Sequence, residues 1–246
     1  MKILKVKKID SKIIKLSNEI FGVKKNMFQY KNTLWNFYTK RQFVLLLQNE
    51  KQVIGLIRVI KKKMYLKKKF YNIACITNVG IKKIFRKKGF SKFLINKSLN
   101  ILKINHEGAL LIARKKVDFF YNRCGFKGNS EFSEISINLK KKKTSNLFLK
   151  EGVFTPKTKK YYTQTYSKKN GYFIRGLEDW KLISFKLKRG KLKFINIFNN
   201  KKKNIGYFIF KDNLIVEYGF IKKNVKEFYL ALCNKFSNVI VIKNPK

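Results

Sequence analysis

Two stretches carry residue types whose spacing suits chemistry. In "FRKKGFSKFL" (85–94), Arg86, Lys87 and Lys88 precede Gly89, and Phe90 and Ser91 follow, where an apolar run ends and a helical period begins. A strand that runs into a glycine-containing turn and then a helix leaves successive backbone N–H groups unpaired at the helix N-terminus, and such a nest binds phosphate. Glycine lets the backbone approach the anion, and the cations add charge-assisted contacts. The lysines alone read as a solvated loop in a lysine-rich chain. In "FFYNRCGF" (119–126), the residues Val117, Phe120, Tyr121 and Cys124 keep helical spacing, and Gly125 stands where a helix C-cap belongs. On spacing alone Tyr121 reads as a core aromatic of that face.

The elements that must position these stretches read as an α/β protein, or α+β with a mixed sheet flanked by helices. A short strand is expected at 3–6 and helical material over 11–38. The β-rich runs 42–48 and 52–60, separated by "NEK", read as a hairpin, and "FYNIACITNVGI" (70–81) as a longer third strand. From Ser91 the period changes: Ile95, Leu99 and Leu102 fall on one face of a helix ending near Asn105. "ALLIA" (109–113) reads as a short buried strand, and "FSEISINL" (132–139) closes this half as an alternating strand. "KKKKTSN" (140–146) reads as a linker, giving domains at 1–140 and 147–246. Residues 147–180 resist assignment. Beyond them come three strand candidates, an Asn-capped amphipathic helix "NVKEFYLALCNKF" and a last strand "NVIVI". This order echoes 42–113 without the glycine loop.

The chain carries a net charge of +46, yet 45% hydrophobic and 15% aromatic residues supply a core and exclude disorder. Such charge ordinarily points to nucleic acid or an anionic membrane. Here seven Arg accompany 52 Lys, with abundant Asn, Ile, Phe and Tyr, all residues of A/T-rich codons except Arg. Phosphate- and base-gripping proteins use the Arg fork more heavily, so compositional drift accounts for much of the charge. The field still favours anionic small molecules. Cys75, Cys124 and Cys233 lack metal spacing or an obvious pairing, which predicts a reducing compartment and neither disulfide nor metal. "MKILKVKKIDSKIIKL" has no signal-type apolar region, and no run of 18 apolar residues occurs, so a cytoplasmic protein without membrane contact is expected.

"VGIKKIFRKKGFSKFLI" and "FFYNRCGF" together resemble the GCN5-related N-acetyltransferase (GNAT) superfamily. In that family the fourth strand leads into R/Q-x-x-G-x-G/A, here "RKKGFS", and a later helix carries F-Y-x-x-x-G-F, here Phe120, Tyr121, Gly125 and Phe126. One helix and one strand separate the two motifs, as in the family. The resemblance covers 42–139 well and the N-terminal helices loosely.

The resemblance implies acetyl-CoA as acyl donor, its pyrophosphate on the backbone N–H groups of residues 87 to 91. Its pantetheine would pair with strand 76–81 through main-chain groups of Val79 and Ile81. A backbone N–H near Val79 or Gly80 would stabilise the oxyanion, and Tyr121 would protonate the departing thiolate. The family often places Asn one turn before the Tyr helix, where this chain has Arg114 or Lys115. No carboxylate lies on strand 70–81; Thr77 and Asn78 are candidates to orient a water, with Glu107, Asp118 and His106 as further candidate bases. Cys124 reads as core.

The second half, similar to the tandem-domain acetyltransferases of the enhanced-intracellular-survival type, would be a degenerate GNAT-like domain without a CoA nest. It would wall the substrate cleft through Tyr207, Glu217 and Tyr218, or serve stability alone. The expected activity is N-acetylation of a primary amine on a small molecule or sugar nucleotide, an anionic one being favoured by the field. The alternative is a basic protein that binds nucleic acid non-specifically, with a vestigial acetyltransferase fold. Acyl length, acceptor and the choice of monomer or dimer stay open.

Overall fold

The computed structural model describes residues 1–113, 115–128, 132–139, 147–190, 192–236 and 239–245. By their internal contacts the residues divide into two units, Met1–Gly128 and Asn129–Lys246.

The first unit is built on strands that read as continuous apolar runs because they are covered on both faces. Its elements are β1 (Lys2–Val6), α1 (Ser11–Phe21), α2 (Phe28–Trp35), β2 (Gln42–Asn49), β3 (Gln52–Leu66), β4 (Lys69–Ile81), α3 (Phe90–Lys103), β5 (Gly108–Leu111) and α4 (Asp118–Arg123). The strands lie in the order β1-β2-β3-β4-β5, antiparallel except for the parallel pair β4–β5. Side chains alternate across β2 with period two. Phe43, Leu45 and Leu47 join Ile57, Val59, Leu94, Ile95 and Leu102 on the α3 face. Val44 and Leu46 join Leu56, Ile13, Ile20 and Trp35 on the α1–α2 face. The Asp10 carboxylate accepts from the Ile13 N–H at 2.9 Å and caps α1, which Gly22 ends in the left-handed region at φ 57°. None of the described helices is long and apolar enough to cross a membrane.

The second unit has β6 (Phe132–Asn138), β7 (Leu147–Glu151), α5 (Pro156–Tyr166), β8 (Tyr172–Phe173), α6 (Leu177–Arg189), β9 (Lys193–Asn199), β10 (Asn204–Lys211), β11 (Leu214–Phe220), α7 (Val225–Lys235) and β12 (Val239–Pro245). Its six-stranded sheet runs β6-β12-β11-β10-β9-β7. The succession β9, β10, β11, α7, β12 repeats β2, β3, β4, α3, β5, with two antiparallel pairs and then a parallel one.

The stretch 132–139, expected to close the first half, instead pairs antiparallel with β12 from Phe132–Pro245 to Asn138–Val239. Alternation says that one face of a strand is buried and not which sheet buries it, so the pattern suited either half. The division accordingly falls before the expected linker 140–146, which lies outside the described residues. The unassigned segment 147–180 holds β7, α5, β8 and the start of α6.

Candidate active site

The site begins with a defect in β4. Arg58 pairs with Thr77 and Leu56 with Gly80, so Asn78 and Val79 face Ile57 alone across a bulge. Asn78 stands at φ 49°, a left-handed conformation that asparagine tolerates better than most side chains. On the other side β5 follows β4 only from Ile73 to Ile76. Residues 77–81 therefore extend past the last β5 partner with one edge of main-chain groups unpaired among the described strands. Gly80 is required by packing: a Cβ there would lie 2.4 Å from Ile20 Cγ2 and 3.0 Å from Phe21 Cζ, where the end of α1 crosses the strand.

Beyond β4 the chain takes a 3₁₀ turn at Lys83–Phe85 and then a tight path into α3. Lys87 has φ 64° and Gly89 φ 78°, so two left-handed residues bend the backbone into a concavity before the first turn of α3. Gly89 is the N-cap, and no side chain caps the helix. A Cβ on Gly89 would meet nothing within 4 Å, so the helix N-terminus opens to solvent. This geometry fits a phosphate: unpaired N–H groups converge at the positive end of a 14-residue helix.

Arg86 behaves differently from its lysine neighbours. Its Nε donates to the Ile81 carbonyl at 2.9 Å and its Nη2 to the Ile20 carbonyl at 2.6 Å. It braces the turn, while Lys87 and Lys88 stand exposed as free-reaching cations. In the second unit β11 passes through a 3₁₀ turn at Lys222–Asn224 straight into α7, with no counterpart of the Arg86–Gly89 path.

Tyr121 lies half-buried on α4, its ring edge-on to Phe120 at 5.2 Å and to Phe126 at 6.0 Å. Its hydroxyl makes no hydrogen bond to a described residue. Burial, and then the neighbouring Cys124, push its phenol up, so it is protonated at neutral pH. Gly125 at φ 85° ends the helix and returns the chain so that the Phe126 N–H meets the Tyr121 carbonyl at 3.1 Å.

A cleft of about 920 Å³ gathers these features. Asn78, Val79, Gly80, Ile81, Arg86, Ser91 and Tyr121 line it together, the first six from the continuous path of β4, the turn and α3, and Tyr121 from α4 further along the chain. Lys87, Lys88, Gly89 and Phe90 are not in its lining; Phe90 packs against Phe85 at 6.3 Å, and the other three are exposed.

The candidate bases lie elsewhere. Glu107 accepts from the Asn72 N–H at 2.5 Å, near the opposite end of β4. His106 Nδ1 is 3.1 Å from the Leu102 carbonyl, and burial lowers its pKa. Asp118 is exposed in the first turn of α4. Cys124 is buried and its thiol pushed up by burial, which suits a core residue. No carboxylate lines the cleft among the described residues. Arg114 and the Lys115 side chain lie outside the described set.

Sequence reasoning missed the α1–α2 side of the cleft, where Lys24, Lys31, Trp35 and Arg58 contribute to the lining. One signal was present: Arg58 is a lone charge inside the apolar run "VIGLIRVI". In the second unit, Tyr207 and Glu217 are committed to each other, the Tyr207 hydroxyl donating to Glu217 Oε1 at 2.8 Å. Tyr207 is fully buried, and Tyr218 stacks on Phe220 at 5.9 Å. The contacts of all three lie within that unit, which fits the second of the two expected roles, stability.

A sheet that frees one edge of its fourth strand, an uncapped helix directly after it and a protonated phenol lining the same cleft form the arrangement that the sequence resemblance implies. The chain belongs to the GNAT family: the model of the acetyltransferase (GNAT) domain matches residues 5–127. Solved structures share the fold. One is a conserved protein of Enterococcus faecalis, with TM-score 0.72, 14% identity, and coverage of 100% of this chain and 65% of that one. The GCN5-related N-acetyltransferase from Anabaena variabilis gives TM-score 0.68 and 17% identity over 99% and 66% of the two chains. Eis1 from Mycobacterium abscessus gives 0.68 and 14% over 100% and 66%. The chain thus spans about two thirds of the length of these proteins. A protein of Amsacta moorei entomopoxvirus, named as a glycylpeptide N-tetradecanoyltransferase, is 34% identical over 85 residues, 35% of this chain and 28% of that protein.

Proposed function

We propose that this chain transfers an acetyl group from acetyl-CoA to a primary amine carried by a small molecule or sugar nucleotide. The observation that carries the reading is the convergence of the unpaired β4 edge, the start of α3 and Tyr121 on one cleft. Acetyl-CoA supplies the activated acyl group. The main chain of Val79 and Ile81 would hold the pantetheine as an added strand, and the N–H groups from Lys87 to Ser91 would hold the pyrophosphate. A main-chain N–H at the Asn78–Gly80 bulge would stabilise negative charge on the thioester oxygen. Tyr121 would hand its proton to the leaving sulfur, a match of similar basicities.

The acceptor amine must arrive neutral, and among the described residues the cleft has no carboxylate to deprotonate it. Lys24, Lys31 and Arg58 achieve part of this electrostatically, because nearby cations disfavour an ammonium. Asn78 would orient the water that removes the last proton.

The test is calorimetric titration of acetyl-CoA into wild type, Gly89→Asn and Gly89→Asp at moderate salt. Asn and Asp both tolerate the left-handed backbone better than most side chains and differ in charge. Binding retained by Gly89→Asn and lost by Gly89→Asp supports the nest; equal binding by both sinks it. The viral relative's name suggests a longer chain, so the titration is repeated with tetradecanoyl-CoA. The +46 charge favours a second reading, non-specific nucleic-acid binding, in which affinity for an oligonucleotide falls steeply with salt and acetyl-CoA does not bind.

A further inference from the structure

The cleft contains a buried positive charge for which the described residues supply no counter-ion. Arg58 is 5% exposed on β3, beside the bulge, and lines the cleft. Its Nε donates to Gln42 Oε1 at 2.8 Å, and its Nη2 to the carbonyls of Leu34 at 3.0 Å and Phe37 at 3.3 Å. Its guanidinium lies 4.3 Å from the centre of the Trp35 ring. Gln42 is held in turn by its Nε2 bond to the Trp35 carbonyl at 2.8 Å. Every partner is neutral, and Nη1 has none among the described residues.

Three neutral oxygens, the Leu34 and Phe37 carbonyls around the end of α2 and Gln42 Oε1 on β2, do not call for a full charge, since a neutral amide would serve them without the cost of burying an ion. What they do is fix the plane of the guanidinium and leave one edge over. Burial lowers the Arg58 pKa to about 10, with Tyr38 acting in the opposite direction, as expected of a cation that lacks an anion. Lys24 and Lys31 line the same cleft, so its potential has one sign.

We propose that Arg58 receives an anionic group of the acceptor, a carboxylate or a phosphate, through Nη1, and that the acceptor is therefore an amine bearing such a group. The proposal rests on the acetyltransferase reading for the word acceptor, while the anion site itself does not. With the amine and its anion on one small molecule, the cleft would hold the anion on β3 and point the amine at the β4 bulge.

The experiment uses matched amines, β-alanine against β-alaninamide and phosphoethanolamine against ethanolamine, with acetyl-CoA saturating. Wild type should favour the anionic member by roughly 10–100-fold in kcat/KM, the range of a hydrogen bond to a charged group. The pair with the larger ratio identifies carboxylate or phosphate. Arg58→Met should abolish the preference. Arg58→Lys, which keeps the charge without the fork, should retain part of it and decides the matter if the Met variant does not fold. A ratio of one in wild type, or the same ratio in a folded variant, overturns the proposal. Where no amine turns over, the pairs are titrated calorimetrically into wild type and variant. Tighter binding of an anionic member by wild type alone sustains the anion site; no difference removes it. Acetyl-CoA binding, measured separately, reports on the acetyltransferase reading.

Discussion

Arg86 joins the carbonyls of Ile20 and Ile81 with one guanidinium, at 2.6 Å from Nη2 and 2.9 Å from Nε. It ties the last turn of α1 to the end of β4 just where Gly80 lets the two come close. Arg86→Ala should lower the stability of the first unit by about 1–2 kcal/mol in urea unfolding. Arg86→Lys should recover less than half, because an ammonium cannot hold the two carbonyls in a planar fork. Acetyl-CoA affinity should fall only modestly. A large loss of affinity at unchanged stability would mean that the side chain meets phosphate instead.

Tyr121→Phe keeps the ring contacts with Phe120 and Phe126 and removes only the hydroxyl. The rate of acetyl transfer should fall about 10²–10⁴-fold with acetyl-CoA affinity intact. Because the phenol is raised above its ordinary value, an acid role keeps the enzyme active up to pH 10, and the rate declines only beyond that. An alkaline limb near pH 8, or a Phe variant at full speed, would assign the proton to another donor.

The parts of the fold that follow from local periodicity were legible in the sequence. β2 reads as an apolar run because it is buried on both faces, and α3 shows its face through Ile95, Leu99 and Leu102, all of which meet the core. The extension of β3 to Leu66 was hidden: its turn consists of Lys67 at φ 46° and Lys68 at φ 64°, and lysine carries no turn signal. The glycine loop and Tyr121 were legible as motifs, yet the division of labour within the loop was not. Arg86 and Lys87 look alike in sequence, and only the positions of the Ile20 and Ile81 carbonyls separate a brace from an exposed cation. Arg58 was overlooked for a related reason, since its role depends on α2, which follows no strong period.

The second unit holds several phenols that ionise only with difficulty. Burial pushes Tyr162 up to about 12, against the opposing effect of Arg175. Tyr166 and Tyr207 are also raised, chiefly by burial, and Glu217 adds to both. A phenol whose folded pKa is raised contributes fully below pH 10, where neither state is ionised, and its contribution declines above pH 10 as the unfolded chain ionises. Each such phenol should steepen the loss by about 1.4 kcal/mol per pH unit. Urea midpoints should therefore hold to pH 10 and fall sharply beyond, with phenolate absorbance from these residues appearing at unfolding. Gradual ionisation at constant midpoint would show that the phenols are accessible.

Arg175 and Glu217 form the charged centre of that same unit. Arg175 Nη1 and Nη2 meet the two Glu217 oxygens at 2.8 and 2.6 Å, with the guanidinium 3.8 Å from the Tyr162 ring centre and 5.0 Å from that of Trp180. Both side chains are less than one fifth exposed, so removing either partner strands a poorly hydrated charge. Arg175→Met should cost about 3–5 kcal/mol, read from unfolding monitored by Trp180 fluorescence. Glu217→Gln should cost less than Glu217→Ala, since the amide oxygen still accepts from Tyr207. The double change Arg175→Met with Glu217→Leu should cost less than the sum of the single ones, because no charge then remains to be stranded. Strict additivity would mean that water reaches the pair. A variant that keeps its stability but loses acetyl transfer would return Glu217 to the role of substrate contact.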